Sequence, residues 1–297
     1  MKIRFAAFLA VSGALTMVGC GGDDTTTTDM GTTTDMGGGD AGVVDLGTTD
    51  SGATDGAVAD MTVHTPDWSC LGSVTFPAAT TETIPFSADV LDFLGNAAIE
   101  GVAGTVCPDR TDVDCVGGVS TDPSDADGHM MATLQTGMGT GGNGFFGYFR
   151  LEKEGYLNLR AFTYRPLAAE LPDVPRAWMF SPTAANTAAA LAGATINAEK
   201  GIVIVRFRDC TNTDSSGASF AADIDGATRF YARGNIISAS ATETDYTGVG
   251  GFINVDPGSL RITATNGTDT IGYADVLVEA NTVTLLFLGP TPAAPTR

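Results

Sequence analysis

Few side chains in this sequence are equipped for chemistry. The histidines are His64, followed by Thr-Pro-Asp-Trp, and His129, followed by Met-Met-Ala-Thr. Neither provides the histidine–glutamate pair which, with a distant second histidine, holds a catalytic zinc and leaves one position open. The aspartates of "DPSDADG" (122–128) suggest calcium, but an EF-hand ending its acidic half at Gly128 needs an acid at Pro123 and a glutamate at Leu134. A solvated turn is the better account. "GMGTGG" (137–142) has the glycine spacing of a dinucleotide loop, yet the β-prone "NGFFGYFRL" follows where a helix would have to meet the pyrophosphate. No G-x-S-x-G nucleophile elbow occurs. The reading is therefore of a protein that is not an enzyme, without catalytic residues, metal or cofactor. Abundant carboxylates keep a hydrolase of unknown type as a third reading.

Aromatic rings offer a different chemistry, stacking against sugars. Phe145, Phe146 and Tyr148, set among glycines, are the leading candidates for a ligand-binding loop. Packing inside a small β-sandwich is the competing account of the same rings.

Stepping outward, the cysteines and the N-terminus define the compartment. Lys2 and Arg4 precede an apolar run from Phe5 to Val18, which at roughly 14 residues is too short to span a bilayer and reads as an export signal over 1–19. Gly19-Cys20 resembles the lipobox of bacterial lipoproteins, with Met17 where leucine is usual. That resemblance implies acylation of Cys20 and a chain attached to membrane by lipid; an ordinary secretory signal with an incidental cysteine is the alternative. Residues 20–62 are rich in Thr, Gly and Asp, with Asp35, Asp40, Asp45, Asp50, Asp55 and Asp60 evenly spaced, and read as a disordered, self-repelling linker. A net charge of −20 and a pI near 4.1 argue against nucleic acid as a partner. Setting Cys20 aside leaves Cys70, Cys107, Cys115 and Cys210, an even number suited to disulfides in an oxidising compartment. Three pairings exist. Closeness within "VCPDRTDVDC" favours Cys107 with Cys115, and hence Cys70 with Cys210. A zinc site lacks any C-x-x-C pair.

Beyond Trp68 the chain reads as short strands separated by Gly, Asp, Asn and Pro turns, for example "IVIVRF" (202–207), "YADVLVEA" (273–280) and "TVTLLFL" (282–288). "TAANTAAALAGA" (183–194), entered by Ser181-Pro182 and left at Gly193, is the one helix expected. The two halves repeat. "FRLEKEGYLNLRAFTY" (149–164) superposes on "FINVDPGSLRITATNG" (252–267), and "VLDFLGNAAIEGVAGTV" (90–106) matches "VRFRDCTNTDSSGASFAAD" (205–223), each with a strand ending near Asp92 or Asp209. Each half then has a glycine turn before its next strand, in "STDPSDADGHMMATL" and "TDYTGVGGFINV".

On those motifs, above all "TDPSDADGHMMATL", "LEKEGYLNLRAFTY" and "NVDPGSLRITAT", the chain resembles the carboxypeptidase regulatory-like domain, once over about 85–170 and again over about 200–290. The resemblance implies an all-β fold of two tandem prealbumin-like, Greek-key sandwiches joined by a short Ala-rich helix. The expected layout is a signal at 1–19, linker 20–62, first sandwich 63–180, connecting helix 181–200, second sandwich 201–290 and tail 291–297. Such sandwiches are attached to many unrelated proteins, so the resemblance informs the fold more than the function. The functional reading is a non-catalytic cell-envelope lipoprotein, on the outer membrane or its periplasmic face, whose partner is an envelope protein or a polysaccharide. A carbohydrate-binding surface module is the alternative.

Overall fold

A computed structural model describes residues 64–137, 144–171, 174–234 and 236–292. The expected signal, Cys20, the linker and most of the 137–142 loop lie outside them. In chain order the elements are β1 (Thr83–Asp92), β2 (Ala103–Cys107), β3 (Val119–Ser120), β4 (His129–Gln135), β5 (Tyr148–Glu152), β6 (Asn158–Thr163), β7 (Arg176–Met179), α1 (Pro182–Leu191), β8 (Gly201–Phe207), β9 (Ala218–Ala222), β10 (Thr228–Arg233), β11 (Ile236–Ser238), β12 (Val249–Val255), β13 (Gly258–Asn266), β14 (Asp269–Val278) and β15 (Thr282–Leu288). The all-β class with one short helix is what the residue pattern implies.

The organising strand is β15. Its sequence has no polar face, which suits a strand covered on both sides of a parallel pairing. It runs parallel to β8 on one side and to β6 on the other. That double pairing joins the two halves in a single nine-stranded sheet, ordered β11-β10-β12-β8-β15-β6-β5-β2-β3. Two three-stranded sheets, β4-β1-β7 and β14-β13-β9, complete the fold. Strand alternation decides which face each covers. Val203, Val205 and Phe207 of β8 and Leu286 and Leu288 of β15 cluster with Ile262, Ala264 and Val276 of the β14-β13-β9 sheet. The intervening Ile202, Val283 and Leu285 cluster instead with Val90, Ala177 and Met179 of the β4-β1-β7 sheet. The small sheets therefore lie on opposite faces of the large one. On the same face as β4-β1-β7, Ala189 of α1 and its C-cap residue Ala192 pack against Phe230, Ile253 and Ile204. Thr284, the buried hydroxyl in mid-β15, donates to the Leu277 carbonyl at 3.0 Å, so it leaves no orphaned polar group. The helix is capped as its sequence requires: Ser181 Oγ accepts from Ala184 N–H at 3.2 Å, Pro182 takes the first turn, and Gly193 exits at φ +72°.

The repeat is real, but one strand out from the superposition of 149–164 on 252–267. β1 is flanked by antiparallel β4 and parallel β7, as β8 is by antiparallel β12 and parallel β15. The antiparallel run β2–β5–β6 has its counterpart in β9–β13–β14. Thus β5 corresponds to β13. The sequence superposition instead sets β5–β6, a hairpin in one sheet, on β12–β13, which cross from one sheet to another. Alternating apolar residues around a glycine recur at nearly every strand pair, so a slip of one strand leaves the pattern largely intact. The two other expected matches, 90–106 with 205–223 and the paired glycine turns, coincide with equivalent elements.

Those equivalent turns repeat in atomic detail. Ser124, 3% exposed, accepts from Val102 N–H at 2.9 Å and donates to Ile99 C=O at 2.6 Å; Thr244, 2% exposed, does the same with Ala218 N–H at 3.1 Å and Ser215 C=O at 2.8 Å. Four residues later Gly128 and Gly248, at φ +76° and +64°, accept from Val90 and Phe207 N–H. A Cβ at either glycine would meet the Val90 or Phe207 carbonyl oxygen at 2.5 or 2.7 Å. Glycine is thus required twice over, by backbone angle and by space.

Removing either buried hydroxyl leaves an amide and a carbonyl without partners. Ser124→Ala and Thr244→Val should each lower stability by about 1–3 kcal/mol in urea titrations. Midpoints that match the unsubstituted chain for both variants would refute the assigned role.

Candidate functional site

The loop expected to offer sugar-stacking rings is packed inward. Phe145, 2% exposed, sits with Ile84, Val106, Leu134 and Leu167, while Tyr148 is wholly buried. Tyr148 stacks on Phe162 with ring centroids 5.0 Å apart and donates its hydroxyl to the Asp112 carbonyl at 2.8 Å. Phe146 is half-buried beneath the Arg110 guanidinium, 4.2 Å from the ring centroid. The reading of Phe145, Phe146 and Tyr148 as a ligand-binding loop is therefore corrected for Phe145 and Tyr148, which are core. For Phe146 and Tyr148 the cover is the segment between Cys107 and Cys115, whose disulfide folds 108–114 back over them. Arg110, from that segment, donates to Thr163 C=O at 2.7 Å and across to Asp275 C=O of β14 at 2.9 Å. Burial pushes its guanidinium down to about 10, only partly countered by the Asp275 charge.

The second bridge, Cys70 to Cys210, belongs to a strap that precedes β1 yet docks on the second repeat. Both sulfur pairings are those favoured by the sequence. Beside the bridge, Asp209, 1% exposed, accepts at 2.6 Å from His64 Nε2, at 2.9 Å from Asp67 N–H, and from Thr211 and Thr213 N–H. Burial alone would raise its pKa. The bonds from Asp67, His64, Thr213 and Thr211 outweigh burial and hold it at about 2. His129 lies 3.1 Å from Asp89 Oδ1. In "DPSDADG", Asp125 Oδ1 accepts from Asp127 and His129 N–H, so this carboxylate serves its own turn. Among the described residues no group of three His, Cys, Asp or Glu could hold a metal ion.

What sequence reading missed is a cleft of about 590 Å³ between β4-β1-β7 and the large sheet. The small sheet ends at β7, whereas the large one continues through β15 into β8. Its floor includes Phe86, Phe149, Ala161, Leu171 and Phe287, and Arg165, Arg176, Arg206 and Arg208 also line it. Arg206 and Arg208 continue the face of β8 that carries Ile202 and Ile204, two residues further along each time. Arg206 lies over the Trp178 ring at 4.5 Å and pairs with Asp214, to which Arg208 Nε also approaches at 3.3 Å. Burial pushes the Arg206 guanidinium down and Asp214 opposes that shift. No ion pair joins Arg165 or Arg176 to an acid among the described residues. The signal for this site lay in "VRFRD", where arginines alternate with core residues in a chain otherwise dominated by acids.

No protein-family model and no curated protein matches the chain. Among solved structures, the shaft pilin SpaA of Lactobacillus rhamnosus GG is 13% identical, covering 73% of this chain and 100% of its own, at a TM-score of 0.22. The major pilin subunit BcpA of Bacillus cereus is 9% identical over 70% of this chain and 100% of its own, at 0.21. A streptococcal ancillary pilin is 12% identical over 72% and 64%, at 0.20. Similarity of that order bears on neither function nor partner.

Asp209 gives this region a pH signature. Its folded value lies below the ordinary 3.8, so its contribution is complete above about pH 4 and is lost as pH falls through about 2. Asp209→Asn should cost about 2 kcal/mol near neutral pH, and the gap from the unsubstituted chain should shrink towards pH 2. Urea midpoints measured at both pH values would show this. A gap unchanged in acid would remove the carboxylate charge from the explanation.

Proposed function

We propose that this chain is a non-catalytic module of the bacterial cell envelope, anchored by lipid on Cys20 and joined through the acidic 20–62 linker to a rigid double sandwich. The sandwich serves as an interaction or structural body for an envelope protein or polysaccharide. One observation carries the reading: the two bridges take up Cys70, Cys210, Cys107 and Cys115, and so leave Cys20 of the five cysteines for acylation. Two disulfides also suit an exported protein and an oxidising compartment. The strap supports the tethered arrangement, since the chain is stapled to the body at Cys70, before β1 begins. Sugar binding has lost the support of the 145–148 loop, two of whose three candidate rings are core.

Intact mass and membrane partition, compared between the native protein and Cys20→Ser, test the anchor. A mature form beginning at Cys20, heavier by acyl chains and released from membranes in the variant, is expected. An unacylated native chain recovered in the soluble fraction would overturn the proposal.

A further inference from the structure

The cleft beside β7 concentrates positive charge in a protein that has little of it. Four of the chain's 15 cationic side chains line it, against one lining acid, Asp89, among the described residues, in a chain of net charge −20. Asp214 is shared by Arg206 and Arg208, and Asp89 faces His129, which leaves Arg165 and Arg176 as the surplus. The Arg206 side chain is 13% exposed, Arg165 is half-buried and Arg176 is exposed; a buried guanidinium on an apolar wall is unfavourable unless an anion or an acceptor satisfies it. Two buried atoms here lack a hydrogen-bond partner among the described residues, Arg206 Nε and Asp214 Oδ1 beside it. The site is also of the right size, since clefts that take small organic ligands are about 300–1,000 Å³ and are lined mainly by apolar side chains with a few oriented polar groups.

We propose that this cleft binds a small monocarboxylate with an apolar body, its carboxylate at the arginine rim and its hydrocarbon or aryl part on the floor of Phe86, Phe149, Leu171 and Phe287. Arginine forks match a carboxylate bidentately, and Asp214 already draws Arg206 Nη2 to its Oδ2 and Arg208 Nε towards its Oδ1 at 3.3 Å. The chain's own acidic linker matches the rim in charge, but residues 21–62 contain no aromatic ring to cover the floor. The proposal is independent of the lipid at Cys20.

Calorimetric titration of the full chain bearing Cys20→Ser, soluble without detergent, tests it with dodecanoate below its micelle concentration and with dodecan-1-ol as the uncharged control. Dodecanoate should bind one per chain and more tightly than the alcohol. Arg165→Ala combined with Arg176→Ala should weaken dodecanoate by about tenfold or more while leaving the alcohol unchanged. Leu171→Trp, which fills the floor, should abolish both, with circular dichroism and melting temperature confirming that the variant is folded. Equal affinity for acid and alcohol, or dodecanoate binding indifferent to the double arginine variant, would overturn the proposal. Neither result touches the anchor, which is read separately by mass.

Discussion

The architecture depends on β15 having two parallel neighbours. Each repeat needs its last strand only to flank its own first strand, as β7 flanks β1 and β15 flanks β8. β15 also accepts β6 of the preceding repeat, so its outer edge, which would otherwise expose unpaired amides and carbonyls, is covered. β7 in the first repeat has no such second partner and remains the end of a three-stranded sheet. From this one asymmetry follow the continuous nine-stranded sheet, the placement of the small sheets on opposite faces, and a core in which Tyr148 and Phe162 of the first repeat share a cluster with Val205 and Leu286 of the second. The cleft is another consequence, because a short sheet ending at β7 lies over a longer one that does not end there.

Local chemistry was the most legible part of the sequence. The Ser181-Pro182 entry and Gly193 exit marked the helix, the glycine turns at 128 and 248 marked equivalent corners, and spacing favoured the sulfur pairs. These are short-range constraints in which residue type dictates backbone angle or reach. The strand register of the repeat was harder to read because period-two alternation is nearly self-similar under a shift of one hairpin. What discriminates is the pair of buried hydroxyls, Ser124 and Thr244, and a hydroxyl in a turn sequence does not announce that it will be buried. The run "TVTLLFL" did hold a clue to its central position, since a strand without a polar face belongs where both faces are covered.

Site residues were less legible for a related reason. Glycine neighbours made Phe145 and Tyr148 look unsheltered, yet Phe145 is covered by Ile84, Leu134 and Leu167, and Tyr148 by the 108–114 segment and β14, all distant in sequence. The arginines of the cleft come from three separate stretches, 164–166, 175–178 and 205–209, and only the sheet arrangement assembles them. An average over the whole chain, −20, concealed a local excess of the opposite sign.

The Cys70–Cys210 bridge has a mechanical consequence. It closes a covalent loop across a sequence separation of 140, which contains every strand from β1 to β8. Tension applied to the chain ahead of His64 passes through the sulfur atoms to the end of β8 and bypasses the first repeat altogether. At about 3.3–3.6 Å per residue, on the order of 460–500 Å of chain is thereby withheld from extension. The first repeat is thereby spared tension entering from the N-terminal side, while the cleft, completed by Phe287, Arg206 and Arg208 of the second repeat, stays coupled to it.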